Sequence, residues 1–319
     1  MRRIDLREAA QYLRENDFFI ILMHGSPDGD TLGCGYALCG ALQQIGKKAK
    51  AVCPDPIPKK FNYMFREIEE QEFEPQTIIT VDVADAKLLY GMKELGEKAG
   101  LCIDHHVSNT EYAERLLLAP EYAAACELLF ELLSFMQDVK ITPCIADCLY
   151  TGIATDSGCF KYSNTSPQTH VYAAELMKLG ADIVPINYAM FDMKSQGRLK
   201  LEQLALSNIR YYDAGRIAVI DVTQEVIDSI EGIDSEDIGA LAAMPRQIEG
   251  VDIGICIKEK KPGLFKASLR SSENADVAAI AQNFGGGGHA RAAGCAFECS
   301  LEEAEKQLVW ACAKALGRS

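Results

Sequence analysis

Three apolar runs of strand length each end in acids or imidazoles. The run 18–23 leads into His24, Asp28 and Asp30. The run 77–81 ends at Asp82, with Asp85 just beyond, and the run 99–103 ends at Asp104, His105 and His106. Short uninterrupted runs rich in β-branched residues read as buried strands. In an open parallel sheet, ligands bind at the carboxyl ends of the strands. A buried strand has no structural need to end in a charged or titratable group each time. Pro27 and Gly29 favour a turn that lets Asp28 and Asp30 point apart, each toward a different metal ion. Taken alone, the first stretch reads better as a polar turn with Asp capping the next helix. The repetition changes that reading.

A fourth stretch, 151–160, carries Asp156 at the end of a helical pattern that begins near residue 143. There are five histidines. His24, His105 and His106 lie at the acidic strand ends, His289 follows a run of four glycines, and His170 falls on an ordinary helix and reads as structural. The stripe Leu128, Leu129, Leu132, Leu133 and Met136 marks a helix over 121–137 that serves the core. Residues 182–212 show no strand pattern and read as a linking helix. Strands are expected over 217–222, 251–257, 264–269 and 295–298, with helices over 224–243 and 301–316. The domains are expected at 1–188 and 213–319, joined by a linker at 189–212.

The fold class is α/β. The N-terminal domain should hold a mostly parallel sheet flanked by helices, and the smaller C-terminal domain a mixed sheet, with the active site in the cleft between them. Twelve cysteines without an export signal point to a reduced, cytoplasmic setting, and neither four-residue cysteine spacing is that of a zinc knuckle. No apolar run is long enough to span a membrane. The net charge of −14 excludes a protein that grips long nucleic acid by its phosphates, so any nucleic-acid substrate should be short, with no long duplex and no membrane as partner.

Aspartates with neutral imidazole suit Mn²⁺, with Mg²⁺ as the alternative, better than a thiol-seeking metal. Two such ions about 3.5–4 Å apart can activate water and clamp a phosphoryl group. The glycines 285–288, with His289, Arg291 and Arg270 nearby, read as a phosphate or nucleotide pocket, because glycine lets backbone N–H groups approach an anion. Lys161, Asn164, Lys194 and Arg198 are weaker candidates for phosphate contact.

These residues resemble the four-motif signature of the DHH phosphoesterase superfamily: His24, Asp28 and Asp30, then Asp82, then Asp104, His105 and His106, then Asp156. The stretch with Arg270, Asp276, the glycines to Gly288, His289 and Gly294 resembles the DHHA1 domain. Within the superfamily the chain is most similar to the compact oligoribonucleases that also dephosphorylate 3′-phosphoadenosine 5′-phosphate (pAp). The resemblance implies two Mn²⁺ ions, one on His24 and Asp28, the other on Asp30, His105 and Asp156, with Asp82 bridging. It implies hydroxide attack on phosphorus, Asp104 orienting an imidazole, and His106 on the scissile phosphate. Arg270, Gly286, Gly287, Gly288 and His289 would hold the terminal phosphate or nucleotide. The substrates implied are short RNA oligonucleotides, linear dinucleotides and pAp, and a homodimer fits such families. Cys34 stands where the family often has serine. Rival readings are a RecJ-type exonuclease, which would carry further nucleic-acid-binding domains, and a non-catalytic nucleotide sensor on the same fold.

Overall fold

The computed structural model describes residues 1–233, 235–272 and 274–317. The chain divides into two compact units, Met1–Met193 and Lys194–Ser319.

The first unit is organised on six strands: β1 (Arg2–Arg3), β2 (Phe19–Leu22), β3 (Ala49–Val52), β4 (Thr77–Val81), β5 (Leu101–Asp104) and β6 (Arg115–Leu118). They form one sheet in the order β1-β6-β5-β4-β2-β3, and every pair is parallel. A parallel sheet is covered on both faces, which is why β2 is buried at all four positions and reads as continuous apolar sequence. The acid-ended runs anticipate β2, β4 and β5 within a few residues, and no expectation covers β1 or β6.

Helices supply the cover. Leu6–Glu15 begins at a capping box made by Asp5 and Glu8 and buries Ala9, Ala10 and Leu13. Gly29–Gln44 is buried along most of its length, and so is Pro143–Asp156, which starts on a Thr142 cap followed by proline. These two helices pack closely. A β-carbon at Gly33 would overlap the Cys148 carbonyl oxygen, so glycine is what permits the approach. The helix expected over 121–137 is shorter, Ala125–Ser134. The residues before it form a loop whose backbone is used by the site described below.

The second unit has a mixed sheet of β7 (Arg210–Tyr212), β8 (Ile217–Val222), β9 (Ile253–Lys261), β10 (Leu264–Ser271), β11 (Gly287–His289) and β12 (Ala292–Phe297), ordered β11-β12-β10-β9-β8-β7. Only β8 and β9 pair in parallel. Alternation along β8 feeds two cores, as a period of two requires. Ile217 and Val219 pack with Leu308 and Cys312 of the helix Leu301–Ala315, whereas Ile220 and Val222 pack with Leu201 and Ala205 of the helix Gln196–Ser207. The segment 182–212 holds two α-helices, Ile183–Asn187 and Gln196–Ser207, and then β7, a three-residue strand too short to leave an alternating signature. The helix expected over 224–243 is broken into Gln224–Asp228 and Ser235–Ala240, followed by a 3₁₀ segment containing Pro245.

Candidate metal centre

Strands β5, β4 and β2 are adjacent and parallel, so their carboxyl ends meet at one sheet edge. That register brings the three acidic runs together although 80 residues separate His24 from Asp104. Asp82 extends the pairing by donating its N–H to the Ile103 carbonyl at 2.9 Å. Its φ of 56° is uncommon for a residue with a side chain, and such outliers persist where the surroundings hold them. Thr31 ties the first run to the second: its hydroxyl donates to the Val81 carbonyl and accepts from the His24 N–H.

Asp28 has two roles. Its Oδ1 caps the helix Gly29–Gln44, accepting the N–H groups of Asp30 and Thr31 at 3.0 and 3.1 Å. Its Oδ2 lies 3.7 Å from His24 Nε2. Asp30 is fully buried, and both its oxygens are occupied by another helix: Oδ2 accepts from Ala125 N–H at 2.6 Å and Oδ1 from Cys126 N–H at 2.9 Å. Ala124, at the N-cap of Ala125–Ser134, has no capping side chain, so Asp30 serves as the remote cap. The positive end of that helix helps hold a carboxylate there.

The two imidazoles are set alike. His24 Nδ1 is 2.8 Å from the Gly25 carbonyl oxygen, and His105 Nδ1 is 3.2 Å from that of Tyr122. Each ring therefore turns Nε2 toward acids, the arrangement that a metal-ligating histidine takes. His24 Nε2 is 3.5 Å from Asp82, and His105 Nε2 is 3.8, 3.6 and 3.3 Å from Asp30, Asp82 and Asp156. Three donor groups containing imidazole result among the described residues: His24, Asp28 and Asp82; Asp30, His105 and Asp156; and Asp82, His105 and His106; a fourth joins Asp30 to Cys34 and Cys126. The six expected metal ligands thus converge.

This donor set fits divalent cations. Asp82 Oδ1 and His105 Nε2 are buried without a hydrogen-bond partner, and buried polar atoms are seldom left so. In the metal-free protein, protonated imidazoles offset the negative charge. Burial opposes charging His24, but Asp28 and Asp82 outweigh it and raise its pKa to about 11. Burial likewise opposes charging His105, and Asp156, Asp30 and Asp82 raise it to about 10. Burial and the facing carboxylates push Asp30 well up, and bring Asp82 to about 6 although His24 pulls it down.

Asp104 stands behind this cluster. It is fully buried, and its Oδ1 accepts from the N–H groups of His105 and His106 and lies 2.9 Å from His106 Nδ1. Its Oδ2 accepts from Asn109 Nδ2 at 2.6 Å. Burial raises the Asp104 pKa, and the bonds from His106 and Asn109 more than reverse this, so the group is held as a carboxylate. Asp104, foremost among the causes, raises the pKa of His106, whose ring remains partly exposed.

In the second unit, Arg270, Ala292 and His289 face one another across β10, β12 and β11. Directly opposed residues share a face, so the guanidinium and imidazole stand on one side of the sheet. The glycine run ends in an edge strand rather than an open phosphate turn. Gly288 has a φ of 145°, and a β-carbon there would overlap the Ala292 carbonyl oxygen; at Gly286 it would overlap that of Gly294. At Gly287 nothing would be met. Arg291 is committed to the Ser272 and Ala275 carbonyls, at 2.8 and 2.7 Å. Lys194 and Arg198 both pair with Glu202, and Asn164 donates to the Ala123 and Asp156 carbonyls. Sequence reasoning overlooked Asn109 and Thr31 in this network. Neither stands at a strand end: Asn109 lies in a loop and Thr31 in the first turn of the helix Gly29–Gln44, and a single polar residue at such a place carries no spacing signal.

Residues 19–153 match the DHH family N-terminal domain, and residues 222–315 match the DHHA1 domain. The chain is a two-domain DHH–DHHA1 protein. The DHH match takes in every metal candidate except Asp156, and the DHHA1 match takes in Arg270 and His289. This DHH–DHHA1 chain is 28% identical to the bifunctional oligoribonuclease and PAP phosphatase NrnA of Thermus thermophilus, over 94% of its own length and 90% of that protein. It is also 28% identical to the protein of the same name from Mycoplasma genitalium, over 92% and 93%. Among solved structures it resembles an exopolyphosphatase-related protein from Bacteroides fragilis, with a TM-score of 0.83 and 26% identity, covering 97% of this chain and 95% of that one. In this DHH domain Cys34 is buried with its sulfur 3.5 Å from that of Cys126, and both thiols group with Asp30. Among the described residues, no helix is long and apolar enough to cross a membrane.

Proposed function

We propose that this protein is a metal-dependent phosphoesterase that hydrolyses short RNA oligonucleotides, including linear dinucleotides, to mononucleotides and removes a phosphate from pAp. The observation that carries the reading is the pair of donor triads, His24, Asp28, Asp82 and Asp30, His105, Asp156, meeting around buried atoms with no hydrogen-bond partner. His24 and Asp28 would hold one Mn²⁺, and Asp30, His105 and Asp156 the other, with Asp82 between them and Mg²⁺ as the alternative ion. Bound cations of this kind supply charge neutralisation at phosphate oxygens and activation of water.

The remaining roles belong to the chain. Asp104 accepts from His106 Nδ1 and keeps that imidazole inclined to carry a proton, so Nε2–H is available as a donor to the scissile phosphate. Arg270 and His289, set on one face of the second sheet, would hold the terminal phosphate, with the backbone at Gly286, Gly287 and Gly288 beside them. The names of the Thermus and Mycoplasma relatives support the substrate class.

The test is incubation with Mn²⁺ and a short 5′-labelled RNA, with pAp in a parallel reaction and the double variant Asp104→Ala/His105→Ala as control. Mononucleotide and phosphate release, both lost in the control, is the expected result. Cleavage of pAp alone would leave a nucleotide phosphatase and remove the RNA claim. Nucleotide binding without any product would favour a sensor.

A further inference from the structure

Two tyrosines lie against the turns that carry the candidate ligands, and neither has a role in the network above. Tyr90 is 53% exposed, and its ring rests on Gly25, the residue after His24. A β-carbon at Gly25 would overlap that ring. The contact is built: Gly25 N–H donates to the Leu88 carbonyl at 2.8 Å, and Tyr90 itself takes the strained backbone angles φ 48°, ψ −118°. Tyr162 is 62% exposed, and its ring rests in the same way on Gly158, two residues after Asp156. The chain there makes three successive left-handed residues, Gly158, Cys159 and Phe160, and the Tyr162 N–H closes the turn onto the Ser157 carbonyl at 3.0 Å. Strain of this sort points to function when it places a side chain. Here it places an exposed aromatic ring at each of two ligand turns. His24 belongs to one donor triad and Asp156 to the other, so each triad has one ring at the turn that carries one of its members.

From this geometry we infer that Tyr90 and Tyr162 are the stacking positions for the two bases that flank the scissile phosphate of a dinucleotide. The inference rests on the proposed phosphoesterase activity and adds how the nucleosides are gripped. A chain with a net charge of −14 gains little by holding a polyanion with surface cations. Stacking on an aromatic face needs no charge and accepts any base. It also explains a preference for short substrates, because two platforms engage two bases and a longer strand gains nothing further from them.

The variants are Tyr90→Ala, Tyr162→Ala, Tyr90→Phe and Tyr162→Phe. Each is assayed on a 5′-phosphorylated diadenylate, on pAp and on a base-free ribose 3,5-bisphosphate. Equilibrium binding of the diadenylate is measured by calorimetry, and Mn²⁺ affinity serves as the control for an intact centre. Each alanine variant should raise KM and Kd for the diadenylate about tenfold, within a range of roughly 5–150-fold, with kcat changing by less than about threefold. Phenylalanine should restore both constants, because the ring and not the hydroxyl stacks. Substrate pAp has one base, so it should respond to one of the two alanine variants. The base-free bisphosphate should respond to neither. An unchanged diadenylate KM and Kd in both alanine variants, or an equal loss on the base-free compound, would overturn the inference. Should the wild-type protein cleave neither nucleotide substrate, the proposed activity falls, and the binding arm still decides whether the tyrosines stack.

Discussion

Asp104→Asn isolates the carboxylate that orients His106. The wild-type group accepts four hydrogen bonds from His105 N–H, His106 N–H, His106 Nδ1 and Asn109 Nδ2. An asparagine has the same shape but only one acceptor atom. If its oxygen keeps the three donors of the histidine pair, its NH₂ meets the NH₂ of Asn109, which now sits 2.6 Å from the Oδ2 position. If it flips, His106 Nδ1 and two backbone N–H groups lose their acceptor instead. Either way a charge-assisted bond is lost in a fully buried site, which costs about 1.5–3 kcal/mol. Losing the partner that orients an imidazole at a metal centre typically reduces activity about 10–100-fold. Urea denaturation should therefore show a loss of about 2 kcal/mol, and kcat on pAp should fall at least about tenfold with little change in KM. Adding Asn109→Asp restores a donor–acceptor pair with the polarity reversed. The double variant should regain a good part of the stability while kcat stays low, because the carboxylate no longer faces His106. A single variant within about 0.5 kcal/mol and twofold in kcat of wild type would refute the reasoning, and so would recovery of kcat in the double variant.

Asp28→Ser keeps a helix cap and removes a ligand, so stability should stay within about 0.5 kcal/mol of wild type while Mn²⁺ affinity, read by calorimetry, drops. Metal binding should release at least two protons near neutral pH, because His24 and His105, raised to about 11 and 10, and Asp30, pushed well up, hold protons in the metal-free protein that ligation displaces. Apparent affinity should rise with pH up to about 11, where His24 has titrated, and calorimetric enthalpies should differ between buffers of unlike ionisation heat; equal enthalpies would contradict it. Gly33→Ala should lower stability by about 1–3 kcal/mol despite better helix propensity, because the Cys148 carbonyl it would meet is backbone. Gly288→Ala should also destabilise, through its φ of 145° and the Ala292 carbonyl, whereas Gly287→Ala should leave the denaturation midpoint unchanged.

What was legible in the sequence follows from what is local. A buried strand that ends in an acid shows in a single run of residues, so β2, β4 and β5 and their terminal groups could be read directly. Asp156 could be read as the end of a helix. Short edge elements could not: β1 has two residues and β7 three, fewer than an alternation needs. The glycines before His289 read as an anion cradle, and the sequence does not show that two of them also answer to the close approach of β12. Positions whose meaning depends on distant partners stayed silent. Tyr90 matters because it lies on Gly25, 65 residues earlier, whereas Asn109 and Tyr162 meet Asp104 and Gly158 only five and four residues away, through irregular turns that leave no periodic signal. The cap that Asp30 provides is likewise invisible, since the helix it caps begins 95 residues later.

The spread of the candidate ligands along the chain also bears on its synthesis. The first is His24 and the last is Asp156, and the register that gathers them needs β2, β4 and β5 in place together. No fragment ending before residue 156 holds the full set. At about 5–20 residues per second, roughly ten seconds separate translation of the first ligand from the last. During that interval the nascent chain lies beside the messenger that encodes it without a complete cluster.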